Sequence, residues 1–323
     1  MTKGPGVSVN ERSAELVTRL KANAEELRVG ISHGELGETL IDAGSKKLGG
    51  IAAGIRIAEI CMGGLGRVTL MPSSATPRWP WTIVVHSSDP VIACLASQYA
   101  GWRLADDSGP KPFFALGSGP ARALARREPL FEALNYADDA TRATLVIESG
   151  RPPPAKIVAT VAQHCRVKPE DLTIIFAPTQ SLVGSTQIVA RVLEVAMHKT
   201  HELGFPLDRV VDGMGAAPLC PPDPDFVKAM GRTNDAIIFA GRVQLYVTGP
   251  ASEARELAQK LPSKASRDYG RPFSEIFKQV KGDFYAIDPM LFSPAQITVT
   301  ALDSGESFHS GEIDLGLLDA SFA

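Results

Sequence analysis

Arg191 and Glu194 are the residues whose types and spacing first suggest chemistry. They lie three positions apart in the segment 184–203, whose hydrophobic periodicity predicts one long helix. Residues three apart on a helix are neighbours, so the carboxylate could exchange protons while the guanidinium sets its charge and holds a planar ligand. The same spacing also fits a solvated helix face that carries a surface ion pair. Spacing alone leaves both interpretations open.

The predicted helix is amphipathic, with its charged groups on one side. At 100° per residue one face is an apolar stripe. The stripe consists of Val189, Val192, Leu193 and Ala196, and the opposite face carries Gln187, Arg191, Glu194, His198 and His201. A polar face of this kind borders either solvent or a cleft.

A glycine-rich turn, Gly117-Ser118-Gly119-Pro120, precedes a short predicted helix that carries Arg122. Free amides at a helix N-terminus attract anions, so a phosphate or carboxylate of a ligand could bind there beside the arginine. The alternative is an ordinary glycine turn followed by a solvated basic helix. Arg122 occupies the third glycine position of a dinucleotide fingerprint, which argues against a nucleotide site of that kind.

Three further polar residues flank predicted strands. Glu148 ends an apolar strand, a position where carboxylates often face a pocket. Asn234 and Asp235 directly precede a strand predicted over 236–239. Their side chains could either fix a loop or bind the hydrogen-bonding edge of a heterocycle.

Several common chemistries are excluded by their missing motifs. The chain contains no Gly-Lys dipeptide and therefore no Walker A loop. The pair His201-Glu202 is not followed by a second histidine at zinc-protease spacing, and the six histidines form no evident metal set.

Alternating strands and helices in both halves of the chain predict an α/β protein with two lobes. We expect mixed sheets flanked by helices, with a cleft between the lobes. Helices are predicted over 9–27 (capped by Asn10), 49–61, 89–102, 157–164, 184–203, 226–230 and 253–260, and strands over 28–31, 39–42, 67–71, 81–86, 112–116, 144–147, 172–176, 236–239, 244–248 and 297–302. Pro152-Pro153-Pro154 predicts an approximate division into intertwined lobes 1–150 and 151–323.

Composition and charge fit a globular protein of about two domains. The 323 residues are 44% hydrophobic and 21% charged, and the net charge of −3 offers no basic field for nucleic acid. Four scattered cysteines predict inert buried thiols in a reducing compartment. No signal peptide or membrane span is expected. The 29 glycines and 24 prolines cluster, for example at 212–215, and predict unusual backbone at connections.

Five long segments, in order along nearly the whole chain, resemble the methenyltetrahydromethanopterin cyclohydrolase family. They are Ile60-Cys-Met-Gly-Gly-Leu-Gly66, Ala115-Leu-Gly-Ser-Gly-Pro-Ala-Arg122, Ala190-Arg-Val-Leu-Glu-Val-Ala-Met-His-Lys199, Gly231-Arg-Thr-Asn-Asp235 and Ala286-Ile-Asp-Pro-Met-Leu-Phe-Ser-Pro-Ala295. The third segment departs from the pattern of archaeal relatives at Val195, where threonine is usual.

The resemblance implies a cytoplasmic homotrimeric enzyme of one-carbon metabolism. Such an enzyme reversibly hydrolyses methenyl-tetrahydromethanopterin to the N5-formyl form, a step used in formaldehyde oxidation and methanogenesis. It implies no metal or nucleotide cofactor, and a pterin bound between two lobes. The family's catalytic Arg and Glu fall on Arg191 and Glu194. Substrate contacts are expected from Glu148, Gly117, Ser118, Gly119, Arg122, Asn234 and Asp235.

Two other functions stay open from the sequence. One is another tetrahydromethanopterin-dependent enzyme, such as a formyltransferase or dehydrogenase, which would need a second carrier site or a nicotinamide fingerprint. The other is a non-catalytic pterin-binding trimer.

Overall fold

The computed structural model describes residues 6–108, 111–283 and 286–323. It contains two six-stranded mixed sheets with helices packed on them, which confirms the predicted α/β class. The chain forms two compact units: the described residues up to Leu65 with Ile92–Gly184, and Gly66–Val91 with Ser185–Ala323. The predicted division at residue 150 does not coincide with these units, because strand 172–177 joins the sheet of the first unit. The predicted cleft between the lobes stays a prediction.

The first unit is built on a sheet with parallel strands at its centre. Its helices are α1 (Val9–Ala22), α2 (Ile51–Cys61), α3 (Ala121–Ala125), α4 (Leu130–Leu134), α5 (Ala155–Cys165) and the first three residues of α6 (Leu182–Val189), whose remainder belongs to the second unit. Its strands are β1 (Gly30–His33), β2 (Thr39–Asp42), β5 (Trp102–Asp106), β6 (Phe113–Ser118), β7 (Ala143–Glu148) and β8 (Leu172–Ala177). The strand order is β1-β2-β8-β7-β6-β5, with β2, β8 and β7 parallel.

Both faces of this first sheet are covered. Alternate residues of β7 point to opposite sides, so Leu145 and Ile147 pack in one core with α3 and α5, while Val146 packs in another with α1 and α2. Strands buried on both faces are apolar almost throughout, as the sequence Ala-Thr-Leu-Val-Ile of β7 is. The first unit is therefore a three-layer sandwich.

The second unit is built on a sheet with one parallel pair. Its strands are β3 (Arg67–Pro72), β4 (Trp81–Ser87), β9 (Val210–Pro218), β10 (Arg242–Val247), β11 (Gln296–Ala301) and β12 (Ser307–Gly311). Its helices are α7 (Val192–Glu202), α8 (Phe226–Ala240), α9 (Ala251–Lys260), α10 (Phe273–Gln279) and α11 (Leu315–Phe322). The strand order is β12-β11-β10-β9-β4-β3, in which only β10 and β11 pair in parallel.

This second sheet has one apolar face and one polar face. Burial alternates strictly along β10 and β11, as the sequences Arg-Val-Gln-Leu-Tyr-Val and Gln-Ile-Thr-Val-Thr-Ala predict. Leu245 and Val299 are fully buried, whereas their neighbours Tyr246 and Thr300 keep part of their surface exposed. Helices α7 and α8 pack on β9, and α9 packs on β11.

Several predicted elements need correction. The first helix is shorter than predicted and is capped by Ser8, because Asn10 is buried and binds Asp138 and the carbonyl of Pro120 instead. The strand predicted over 236–239 is wrong: these residues form the last part of α8, whose apolar end lies in the core. The helix predicted over 89–102 is a shorter π-helix, Val91–Gln98.

The four cysteines are free and buried, as predicted. Burial raises the pKa of the Cys165 and Cys220 thiols to about 12, so both stay protonated and unreactive. No helix among the described residues is both long and apolar enough to cross a membrane.

Candidate active site

The segment that carries Arg191 and Glu194 is not one helix. Helix α6 ends at Val189 and α7 begins at Val192, so the predicted continuous helix is corrected to two. Arg191 lies between them with φ −82° and ψ 4°, and its amide donates to the carbonyl of Ile188. This region of backbone angles is sparsely populated and is often found at active sites.

Arg191 and Glu194 face each other and are buried. Arg191 Nη1 lies 3.8 Å from Glu194 Oε2, and the two side chains are 6% and 5% exposed. The surface ion pair that spacing also allowed is therefore excluded. At 3.8 Å the contact is electrostatic rather than a hydrogen bond. The buried pair can keep a carboxylate charged and still leave it able to accept a proton.

Glu194 lies in the first turn of α7, where acidic side chains are favoured. Backbone amides at a helix start point toward the side chains there and carry partial positive charge. Both the helix start and Arg191 thus stabilise the charged form of Glu194. The break in the helix creates this position, because a continuous helix would place Glu194 in its middle.

Two glycines of β9 bring the start of α7 unusually close to the sheet. A Cβ on Gly215 would lie 2.9 Å from Val192 Cγ1 and 3.2 Å from the amide nitrogen of Leu193. A Cβ on Gly213 would lie 3.0 Å from Leu193 Cδ1. The glycine cluster at 212–215, expected at a connection, is instead part of a strand. Because Gly213 and Gly215 have no side chains, Val192 and Leu193, which directly precede Glu194, can pack close to the backbone of β9.

Lys199 anchors the other end of α7. Its ammonium group is buried and donates to the carbonyls of Pro262 and Met290 at 3.0 and 2.8 Å. Burial lowers the pKa of Lys199 to about 8, and the nearby charge of Asp288 opposes this shift. α7 is therefore held at both ends by contacts within the second unit.

Glu148 lies where the sequence predicts, at the carboxyl end of a central strand. It pairs in register with Ala177 of the parallel strand β8 and is half-buried. Ligands of open α/β sheets commonly bind at the carboxyl ends of parallel strands. This position keeps Glu148 a candidate for contact with substrate.

The glycine-rich turn at Gly117-Ser118-Gly119 is hydrogen-bonded to the last two residues of the π-helix. The Gly119 amide donates to the carbonyl of Ser97 at 2.8 Å, and Ser118 Oγ donates to the carbonyl of Gln98 at 2.6 Å. The helix that follows, α3, has only five residues. The predicted set of free amides at a helix start is therefore absent at Gly119, because its amide already has a partner.

Arg122 is fully buried and is held by protein groups. Its Nη1 donates to the carbonyls of Leu95 and Ser97, both at 3.0 Å, and its Nε donates to Glu128 Oε1 at 2.9 Å. Nη2 pairs with the other oxygen of Glu128, and the guanidinium lies between the rings of Tyr99 and Phe131. These contacts give Arg122 a structural role rather than that of a ligand-binding group on a solvated helix.

The two arginines beyond α3 reach a surface cavity in the first unit. Arg126 and Arg127 line it together with Arg166 and His164, and its volume is about 510 Å³. Burial, with the charge of Arg127, lowers the pKa of His164. Arg122 on the one hand, and Arg126 and Arg127 on the other, thus lie in two different environments.

Within the first unit, the glycine-rich turn lies beside the last residues of β7. Gly117 pairs in register with Ile147, and Ser118 pairs with Val146. Glu148 directly follows Ile147 in β7, so Gly117 and Glu148 are near neighbours on adjacent strands.

Asn234 and Asp235 lie on α8, not on a loop. Asn234 donates to the carbonyl of Met230 in its own helix. Asp235 is fully buried, accepts from the Phe273 amide at 3.0 Å and from Ser321 Oγ at 2.6 Å, and so ties α8 to α10 and α11. Burial raises the pKa of Asp235 to about 7. Of the two predicted roles, fixing local structure fits these contacts.

In residues 6–108, 111–283 and 286–323, no group of three or more His, Cys, Asp or Glu side chains could hold a metal ion. Arg191, Glu194 and the side-chain amide of Gln187 are among the polar groups that the structure brings together at the start of α7.

Comparison with known proteins identifies the family. Residues 8–322 match the family described as Cyclohydrolase (MCH). The chain belongs to the methenyltetrahydromethanopterin cyclohydrolase family. It is 56% identical over 316 residues to the cyclohydrolase of that name from Methylobacterium organophilum, covering 98% of both chains. It is 62% identical over 263 residues to the one from Methylosinus trichosporium, covering 81% of this chain and 100% of the relative. An archaeal relative, from Methanococcoides burtonii, is 38% identical over 318 residues, covering 98% of both chains.

These matches confirm the family resemblance predicted from the five segments. Three residues that shape the site in this cyclohydrolase family member received no role from the sequence: Gln187, Gly215 and Lys199. A signal existed for Lys199, since it follows Val192 and Ala196 on the apolar side of the helix, where a charged residue is unusual. For Gly215 no signal in the local pattern showed which helix it faces.

Proposed function

We propose that this chain reversibly hydrolyses methenyl-tetrahydromethanopterin to N5-formyl-tetrahydromethanopterin. Its relatives from Methylobacterium organophilum and Methanococcoides burtonii are both named methenyltetrahydromethanopterin cyclohydrolase. The observation that carries the proposal is the buried Arg191–Glu194 pair at the start of α7. A buried carboxylate beside a guanidinium is suited to a reaction in which water attacks a cation and protons must be moved.

The first step is attack of water on the methenyl carbon. The methenyl bridge is an amidinium-like cation and is already electrophilic, so the difficult part is removal of a proton from water. Glu194 accepts this proton as the carbon–oxygen bond forms, which gives a neutral carbinolamine and a protonated Glu194. Low exposure of Glu194 strengthens its interaction with the nearby cation.

The second step is cleavage of one carbon–nitrogen bond. Glu194 returns its proton to N10, the bond from the bridging carbon to N10 breaks, and the hydroxyl becomes the formyl carbonyl on N5. The hydroxyl proton leaves to solvent, so cation and water yield neutral product and one proton. One carboxyl group serves as base and then as acid, which suits a reversible reaction.

Arg191 orients Glu194 and binds the pterin in this proposal. Its planar guanidinium has directed donors that suit a flat, hydrogen-bonding heterocycle. Glu148 contributes to positioning the pterin or its cation. The described contacts of Ser118, Gly119, Arg122, Asn234 and Asp235 support structural roles, and the substrate contacts expected of these residues and of Gly117 stay predictions.

The proposal includes the remaining expectations from the family. It comprises catalysis without metal or nucleotide cofactor, a homotrimer, and a cytoplasmic location. The substrate supplies its own positive charge, so a Lewis acid is not required for the attack of water.

An absorbance assay tests the proposal. Purified protein, treated with chelator and dialysed, is mixed with methenyl-tetrahydromethanopterin, and the near-ultraviolet band of the methenyl form is followed. We expect its protein-dependent loss without any added cofactor, and product with the mass of the formyl form. Loss of the band only after addition of a nicotinamide or a second carrier would favour a dehydrogenase or formyltransferase.

A further inference from the structure

Gln187 is a buried amide one turn before the candidate catalytic pair. It lies on α6 and is 1% exposed. Its Oε1 accepts a hydrogen bond from Arg191 Nη2 at 3.2 Å. Burial of an amide is unfavourable unless it is hydrogen-bonded. The contact with Arg191 therefore satisfies the carbonyl oxygen of this buried amide.

The bond to Gln187 determines where the rest of the Arg191 guanidinium points. The group is planar, so fixing Nη2 restricts Nη1 as well. Nη1 is the nitrogen that lies 3.8 Å from Glu194 Oε2. Gln187 and Glu194 thus contact the two terminal nitrogens of one rigid group, from α6 and from α7.

The neutrality of Gln187 matters as much as its geometry. A glutamate at this position would accept the same hydrogen bond but would also be an ion-pair partner for Arg191. It would compete with Glu194 for the positive charge and would add a second negative charge close to it. A like charge nearby favours the protonated form of a carboxyl group. A neutral acceptor orients Arg191 without either effect.

We propose that Gln187 is a positioning residue that directs the Arg191 guanidinium at Glu194 while leaving its charge to Glu194 and the substrate. This inference rests on the proposed function for its kinetic consequences. It also has a consequence that needs no substrate, because the protonation of Glu194 must depend on the charge at position 187.

The test compares Gln187→Met, which removes the acceptor, with Gln187→Glu, which keeps it and adds charge. With methenyl-tetrahydromethanopterin we expect Gln187→Met to lower kcat by about tenfold with KM changed less than about threefold, since orientation rather than affinity is lost. We expect Gln187→Glu to move the acid limb of the kcat profile upward by about one pH unit. Gln163→Met and Gln163→Glu, on the exposed side of α5, are the matched controls.

A second measurement is independent of turnover. Protein labelled with ¹³C at glutamate carboxyl groups is titrated, and the Glu194 resonance is assigned by its loss in Glu194→Gln. An upward shift of the Glu194 titration in Gln187→Glu, absent in Gln163→Glu, supports the inference. An unchanged titration overturns it, and so does an equal loss of kcat in both Gln187 variants with an unchanged pH profile. Inactive wild-type protein would instead overturn the proposed function, and the titration would still decide the role of Gln187.

Discussion

Two buried arginine–glutamate pairs, one in each unit, have similar compositions and different geometry. Arg122 contacts both carboxylate oxygens of Glu128, one through Nε and the other through Nη2. Arg122 also donates to two backbone carbonyls, and its guanidinium lies near two aromatic rings. Arg191 and Glu194 are separated by 3.8 Å. Arg122 of the first pair binds carbonyls of the π-helix, whereas the second pair lies where α6 ends and α7 begins.

The difference indicates how a structural pair is distinguished from a reactive one. Direct hydrogen bonds to protein groups hold Arg122 and Glu128 in one arrangement. The 3.8 Å contact between Arg191 Nη1 and Glu194 Oε2 is longer than a hydrogen bond, so Arg191 can stay near the carboxyl group when Glu194 gains or loses a proton. The first pair should therefore matter for stability, and the second for catalysis.

The largest effect is expected from Arg122→Met. The change leaves Glu128 and two carbonyls without their buried partner, so the free energy of unfolding should fall by about 3–5 kcal/mol. Urea denaturation measures it, with Arg126→Met, an exposed neighbour, as the control expected within about 0.5 kcal/mol of wild type. If Arg122→Met were as stable as wild type, the claim that the Arg122–Glu128 pair stabilises the fold would be wrong.

Asp235→Asn tests whether a second buried acidic group is structural. The pKa of Asp235 is raised to about 7 by burial, against 3.8 in an unfolded chain. Between pH 4 and pH 7 the folded state therefore binds more protons, and the free energy of unfolding should fall as pH rises. From pH 4 to pH 7, the free energy of unfolding of wild type should fall by roughly 2–4 kcal/mol more than that of Asp235→Asn.

Stability curves in urea at several pH values measure this difference. Asp208→Asn, at an exposed position, should follow the wild-type pH dependence. If the free energy of unfolding depended on pH in the same way in wild type and Asp235→Asn, Asp235 would not be protonated in the folded state at pH 5. Its assignment as a structural residue would then be weaker.

Glu194→Gln should lower turnover by at least about 10², or about 2.7 kcal/mol in activation free energy, because a general acid–base group is lost. Its urea midpoint should stay close to that of wild type. Glu202→Gln, at the exposed end of α7, is the control and should keep normal turnover. Near-normal turnover in a folded Glu194→Gln would show that Glu194 is not the general acid–base group.

The smallest effect is expected from Gly215→Ala. The added methyl would press on Val192 and on the backbone at Leu193 and displace the start of α7. Overpacking of this kind costs about 1–3 kcal/mol of stability, and turnover should fall about threefold or more as Glu194 moves. Gly316→Ala, whose Cβ would meet only Asp314 Oδ1 at an ordinary 3.5 Å, should change neither quantity appreciably. Unchanged turnover in Gly215→Ala would show that α7 is positioned by other contacts.

Most of the elements were predictable because their signals are local. The alternation in β10 and β11 and the apolar run in β7 predict a strand exposed on one face and a strand buried on both. The failures occur where tertiary contacts override the pattern. Residues 236–239 are apolar enough for a strand, yet they continue α8, because the helix end is itself buried.

The candidate site was predictable in composition but not in arrangement. Arg191 and Glu194 are identified by their spacing and by the family segments around them. The sequence between Ile188 and Glu194 contains neither glycine nor proline, so no local signal announces the break between α6 and α7. Equally, nothing near Arg122 in the chain indicates the carbonyls of the π-helix that it binds.

By itself, the sequence determined the α/β class, the family, and the pair of side chains best suited to move protons. These depend on periodicity and on residue identity, which are properties of short segments. The tertiary structure decided that Arg191 and Glu194 are buried, that Glu194 stands at a helix start, and that Arg122 is structural. Those facts depend on which distant backbone, such as Gly215 or Ser97, comes within contact distance, and no short segment encodes its own environment.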